Sequence, residues 1–356
     1  MDRTEELLKE LTEAQGVSGY EEEVSRIMAR HLSRVAQVSY DNLGSLIAEQ
    51  KGSSESPKVM LAGHMDEVGF MVKEVTKEGF VKFLPLGGWW EHVILSQRVS
   101  IRTSQGDVIG VIGSKPPHDL EPDEKKKIIQ LKDMYIDVGA SSNFDVQKRL
   151  RIRPGDPITP LSQFTVMNNK KAYMAKAWDN RIGCAVVIQV LEKMAKIPHP
   201  NTLYGVGTVQ EEVGLRGAIT SSNRVSPDLA LAVDVSIARD IPDFEDKPEK
   251  LGAGPSILVY DGSMIPNCRL RDLVVDIAEA NRIPYHFTSI EKGGTDGGKI
   301  HLNKFGVPTL TTGIPTRYIH GHVGILQRDD YDNAVKLLVE VLKKLDQKEL
   351  EKITPR

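Results

Sequence analysis

Four apolar runs in this chain stop at side chains of one chemical type. Leu203 to Gln210 leads into Glu211-Glu212, Lys58 to Gly63 into His64-Met65-Asp66, and Leu229 to Val233 into Asp234. The fourth, Val307 to Ile314, reaches His320 after the short extension Pro315 to Ile319. Such runs predict central strands buried on both faces. In open α/β sheets the functional crevice lies beyond the carboxyl ends of the strands. The pattern therefore predicts one rim that collects His64, Glu211, Glu212, Asp234 and His320. A fifth segment, Ala177-Trp178-Asp179-Asn180-Arg181, places Asp179 just ahead of an apolar helix over Ile182 to Met194.

Elsewhere the texture divides the chain. Residues 1–72 predict helices over about 3–15 and 20–35 and strands at Gln37–Tyr40, Leu46–Gln50 and Lys58–Ala62, with Leu7, Leu8 and Leu11 facing inward. Over 73–164 the segments become short and β-branched, with glycine turns every 8–12 residues, as in Gly79–Leu84, Arg98–Arg102 and Asp107–Ile112. Helical periodicity returns after Ala177. The expected fold class is α/β: a mixed-sheet α/β/α catalytic domain of residues 1–72 and 165–356, interrupted by a small β-barrel-like domain, 73–164. Trp89-Trp90 is expected as core aromatics of that insert.

The ligand-type residues form a specific donor set. Imidazoles and carboxylates without a thiolate suit zinc, cobalt or manganese rather than an iron–sulfur or structural zinc site. Five N/O donors exceed what one catalytic zinc takes, and two ions sharing a bridging carboxylate would use them all. On an extended strand His64 and Asp66 share a face, so Asp66 can accept the second ring N–H of His64. Where the backbone turns at a strand end, Glu211 and Glu212 can converge on one site, one to bind metal and one to handle protons.

Ala62-Gly-His64-Met-Asp66-Glu-Val-Gly69, Ala177-Trp-Asp179-Asn-Arg181, Val209-Gln-Glu211-Glu212-Val-Gly214, Val233-Asp234 and Thr316-Arg-Tyr-Ile-His320-Gly-His322 together resemble the co-catalytic metallo-aminopeptidases known as TET, deblocking or glutamyl aminopeptidases. The resemblance implies one divalent ion on His64, Asp179 and Asp234 and a second on Asp179, Glu212 and His320, with Asp179 bridging. It implies Glu211 as general base and Asp66 as support for His64, with His322 only a neighbour. It further implies short peptides as substrates, a β-module that mediates dimer contacts, and assembly into a tetrahedral dodecamer.

Composition narrows the alternatives. A net charge of −3 with no basic stripe argues against nucleic acid, and 40% hydrophobic with 27% charged residues is the balance of a soluble enzyme. No apolar stretch approaches the roughly 20 residues of a membrane span, and the N-terminus lacks a signal-peptide plan. Cys184 and Cys268 are too few for a disulfide framework; both are expected reduced and structural, in a cytoplasmic protein. Gly293-Gly-Thr295-Asp296-Gly-Gly298 is a loop without the features of a phosphate cradle; Thr295 and Asp296 either line the first substrate pocket or form a turn beside it. Two rival functions are a glycoside hydrolase of endoglucanase type, using Glu211-Glu212, and a non-catalytic oligomeric scaffold stabilised by metal.

Overall fold

A computed structural model describes residues 1–244 and 247–354. The four apolar runs form adjacent strands: Thr202–Thr208 lies beside Lys58–His64, which lies beside Leu229–Ile237, which lies beside Thr309–Arg317, all parallel. Nearly every residue of these strands is buried, as a sheet covered on both faces requires. Antiparallel strands extend both edges, Leu46–Gln50 and Gln37–Tyr40 on one side and Gly324–Gln327, Ala172–Ala175 and Thr165–Val166 on the other, making the sheet mixed.

Alternation along the strands sorts side chains between two layers. Val59, Leu61, Leu229, Leu231 and Val233 enter the larger core with the helices Arg3–Glu13, Glu22–Leu32, Trp178–Met194 and Arg328–Lys344. Met60, Ala62, Val206 and Ala230 enter a smaller core under the helix Arg216–Val225. The architecture is thus α/β/α. Helix Trp178–Met194 is buried on almost every side, which is why its sequence shows an apolar run rather than a stripe.

The β-module is a closed six-stranded barrel in the order Gly69–Val75, Val81–Leu86, Tyr135–Asp137, Gly106–Gly113, Arg98–Thr103, Pro157–Pro160. It has its own core, which includes Phe70, Val72, Val81, Phe83, Ile101, Ile136 and Ile158. The first barrel strand starts at Gly69, and the four residues Met65-Asp66-Glu67-Val68 join it to the sheet strand that ends at His64. Trp89 stacks on Phe70 at 4.6 Å, whereas Trp90 is 62% exposed, so only the first of the pair packs on the barrel. Cys184 is buried and Cys268 is exposed at a helix start, and both are free thiols. Among the described residues no helix is long and apolar enough to cross a membrane.

Candidate metal centre

His64 is the last residue of its strand, and Glu211 and Glu212 lie just beyond Thr202–Thr208. Asp234 differs from expectation: its strand continues to Ile237, held by parallel pairing through Ile237 and Thr316. The carboxylate therefore projects from within the sheet rather than from its end. Asp179 opens the helix Trp178–Met194 with non-helical angles, φ −79° and ψ 102°. Around these residues the backbone is repeatedly left-handed without glycine: Ala177 (φ 55°), Gln210 (54°), Leu215 (58°), Tyr318 (61°) and His320 (55°). Such conformations persist only where the surroundings enforce them, and they concentrate at functional sites.

The six side chains meet. His64 Nε2 lies 3.1 Å from Asp179 Oδ1, 3.8 Å from Glu211 Oε2 and 3.9 Å from Asp234 Oδ1. His320 Nε2 lies 3.3 Å from Asp179 Oδ2 and 3.6 Å from Glu212 Oε2. Both imidazoles give Nδ1–H to a main-chain carbonyl, His64 to Asp66 at 3.1 Å and His320 to Gly88 at 2.8 Å. That leaves Nε2 of each turned toward the cluster, the arrangement expected of metal-binding histidine. Three groups could each hold an ion: His64, Glu211, Glu212; His64, Asp179, Asp234; and Asp179, Glu212, His320.

Without a cation the cluster is electrostatically unbalanced. Burial pushes Glu212 up to about 8, with Asp179 repelling it further. Burial and Asp179 push Asp234 up to about 8 as well. Glu211 is raised well above the carboxylate range by burial, then by Asp234, Asp296 and Glu212. Burial opposes ionisation of Asp179 too, but hydrogen bonds from His320 and His64 outweigh it and hold its carboxyl below the usual range. Burial disfavours the charged form of His320, yet Asp179 and Glu212 lift it to about 10. Glu212 Oε1 is buried with no hydrogen-bond partner. Clustered N/O donors, an orphaned carboxylate oxygen and acids pushed toward neutrality all fit a site built for divalent ions.

Asp66 meets His64 through both its main chain and its carboxylate. The strand ends at His64, so the two side chains do not share an extended face. The Asp66 carbonyl takes the His64 ring N–H at 3.1 Å, while the nearest carboxylate oxygen stands 3.5 Å from that nitrogen. The carboxylate also accepts from Glu211 N (3.0 Å), Glu212 N (3.1 Å) and the Ser18 hydroxyl (2.6 Å). His322 is buried against Trp89 with both ring nitrogens unpartnered, and it joins none of the three groups.

A cavity of about 520 Å³ opens over the cluster, walled on its far side by residues that include Ser236, Ile237, Ile290, Lys292, Thr295 and Ile319. Thr295 reaches this wall, its hydroxyl tied to Asp261 at 3.1 Å. Asp296 does not line it; its carboxylate turns back to the Thr208 hydroxyl. Sequence reasoning missed Ser18, Glu21, Gly88 and the buried trio Glu67, Lys176 and Arg181, all of which hold the site segments. The one signal for Gly88 was the Gly87-Gly88 pair: a Cβ at Gly88 would stand 3.3 Å from His320 Nδ1.

The same fold and chain length recur in a TET aminopeptidase from a marine sediment Thaumarchaeota archaeon, 46% identical, with a TM-score of 0.96 over 99% of this chain and 100% of that one. The TET1 peptidase of Pyrococcus horikoshii, which can assemble into a tetrahedron or a large octahedral shell, is 31% identical, with a TM-score of 0.85 over 96% of this chain and 100% of that one. The glutamyl aminopeptidase of Lactococcus lactis subsp. cremoris is 36% identical over 350 residues, 97% of this chain and 98% of its own. The profile of the M42 glutamyl aminopeptidase family matches residues 44–337, and the chain belongs to that family.

Proposed function

We propose that the chain is a metal-dependent aminopeptidase that releases N-terminal residues from short peptides, with two divalent ions per subunit, zinc or cobalt, and manganese as the alternative. The observation that carries this reading is Asp179, whose two oxygens face different histidines at 3.1 and 3.3 Å. His64 and Asp234 would share one ion with Asp179, and Glu212 and His320 the other. Such ions, when bound, supply Lewis acidity toward the scissile carbonyl and a nucleophilic water at neutral pH. Glu211, buried among carboxylates and lining the cavity, takes the proton of the attacking water and delivers it to the leaving amine. The acid-rich rim favours the α-ammonium group of a peptide, which makes the cleavage exo.

Two features weigh against the rivals. Glycoside hydrolysis uses two carboxylates flanking a sugar and has no task for two imidazoles turned onto a shared aspartate. A structural zinc site is closed and usually thiolate-rich, whereas these donors open onto a cavity. The test is hydrolysis of aminoacyl p-nitroanilides before chelation, after it, and after zinc, cobalt or manganese is returned, with a cellulose assay alongside. Turnover lost on chelation and restored by an ion is expected. Turnover indifferent to verified metal loss, or cellulose cleavage alone, ends the proposal.

We also infer a homo-oligomer, dimers built into a tetrahedral dodecamer, with the barrel supplying dimer contacts. The tetrahedron formed by the Pyrococcus horikoshii relative supports this.

A further inference from the structure

The turn that carries Glu211 and Glu212 is held by two carboxylates, and one of them, Glu21, lies in the N-terminal segment. Three successive N–H groups leave this turn. Gln210 N donates to Glu21 Oε1 at 3.0 Å, Glu211 N to Asp66 Oδ1 at 3.0 Å and Glu212 N to Asp66 Oδ2 at 3.1 Å. The carbonyls on the other side are closed by the chain itself, Val209 by Gly217 N, Gln210 by Arg216 N, and Glu211 by Gly214 N and Leu215 N. Three consecutive N–H groups and three consecutive carbonyls of the turn are thereby paired. Concavities of successive N–H groups are anion sites, and here two buried side chains fill one permanently.

On an ordinary strand Glu211 and Glu212 would point to opposite faces. They converge because Gln210 is left-handed (φ 54°), a conformation costly for a non-glycine residue and kept only by outside restraint. At Gln210 the carbonyl is held by Arg216 N within the turn, and the restraint from outside the turn is Glu21, which is 6% exposed. The same Oε1 accepts from Gly19 N at 2.8 Å, fixing the carboxyl in turn. Glu21 does not line the cavity and belongs to none of the three donor groups.

We propose that Glu21 is a positioning residue for the proposed reaction: by holding Gln210 N it sets where the Glu211 carboxylate stands. This rests on the reading of Glu211 as the proton carrier, which Glu211→Gln tests separately. What matters at Glu21 is an acceptor at full reach, not charge. Glutamine keeps Oε1 as acceptor; aspartate keeps the charge but withdraws it by one methylene. Misplacing a reacting group by about 1 Å costs on the order of 10²-fold.

The test is kcat, KM and bound-metal content of Glu21→Gln and Glu21→Asp, each reloaded with metal. Glu21→Gln should keep kcat within about threefold of the unaltered chain, and Glu21→Asp should lose about 10- to 100-fold in kcat at unchanged KM and metal content. The reverse order would make charge the agent and overturns the proposal. So does an unchanged kcat in Glu21→Asp, or a loss accounted for by missing metal. If Glu211→Gln itself remains active, the reading of Glu211 fails whatever Glu21 does.

Discussion

Lys176 Nζ lies 2.6 and 2.8 Å from the two oxygens of Glu67, and Arg181 reaches the first of these oxygens at 2.9 Å. All three side chains are buried. Arg181 also takes the carbonyls of Leu11, Ala14 and Gly16, and Lys176 takes that of Ala14. The trio thus ties the helix Arg3–Glu13 to the loop after His64 and to the segment bearing Asp179. Burial pulls Lys176 down to about 8 against the attraction of Glu67.

Removing the shared anion leaves the buried Arg181 guanidinium without its carboxylate and pushes Lys176 further toward its neutral form. Glu67→Gln is expected to cost about 3–5 kcal/mol of stability, the range for breaking a buried pair from one side. Denaturant titration of the metal-loaded protein reads this directly; a loss under about 1 kcal/mol means the trio is better solvated than its burial indicates.

Glu211 and Glu212 are adjacent yet should fail differently. Glu211→Gln cannot accept a proton, so turnover should fall about 10²–10⁴-fold with metal content unchanged. Glu212 faces His320 at 3.6 Å and shares a donor group with Asp179, so Glu212→Gln should lose metal first and recover part of its activity in excess ion. Elemental analysis and kinetics on both variants check the division. Identical behaviour would refute it.

What was legible here followed from chemistry that only side chains carry. His64, Asp179, Glu211, Glu212, Asp234 and His320 stood out because ligand-type residues interrupt apolar strands at cost unless something compensates them. The partners of these residues were hidden for physical reasons. Gly88 contributes a carbonyl, which every residue has. Glu21 belongs to the run Glu21-Glu22-Glu23 at a helix start, where acids are favoured by the helix dipole anyway. The Asp66 geometry depends on the strand stopping at His64 rather than two residues later, a boundary that periodicity does not resolve. The start of the first barrel strand at Gly69 is hard to read because only four residues, Met65 to Val68, separate it from the sheet strand.

The cavity wall predicts a preference. Lys292 is the charged lining residue outside the carboxylate–imidazole cluster, and it has no ion-pair partner among the described residues. An ammonium group facing the bound residue should favour an acidic first side chain. Lys292→Glu should lower kcat/KM for glutamyl relative to leucyl p-nitroanilide by about 3-fold or more, on the scale of about 0.5–1 kcal/mol for an exposed pair. An unchanged ratio would place the side-chain pocket elsewhere.

Stability of the metal-free protein should fall as pH rises. The carboxyls of Glu212 and Asp234 have folded values of about 8, above those of the unfolded chain. Their contribution is complete below about pH 4 and is lost as pH climbs through 8. His320, raised to about 10, contributes fully below its ordinary value and loses that contribution as pH rises toward 10, which is the same direction. Asp179, held low, adds no slope in this window, because its contribution is lost only in acid. Between pH 6 and 9 the chelated protein should therefore lose about 5 °C or more in melting temperature, and the metal-loaded protein much less. Scanning calorimetry on both forms decides it; parallel curves would show that the centre's carboxylates do not sense the ion.

Metal occupancy should also feed into assembly. The proposed ligands come from both sides of the barrel insertion, His64 before it and Asp179, Glu212, Asp234 and His320 after it. The barrel side reaches into the centre, since Gly88 O holds the His320 ring at 2.8 Å and Gly87 packs against Glu212. Ions bound by His320 and Glu212 would pin this contact, and with it the angle between the barrel and the sheet. A ligand that binds only the closed arrangement stabilises it by mass action. Its removal leaves crowded carboxylates uncompensated and frees the loop 318–323 that carries His320. If the barrel makes the dimer contact, a loosened barrel weakens every interface built on it. Sedimentation or light scattering before and after exhaustive chelation is the measurement. A dodecamer that breaks toward dimers on chelation and re-forms with added ion is expected. A monomer in metal-replete buffer refutes assembly, and a dodecamer indifferent to verified metal loss refutes the coupling.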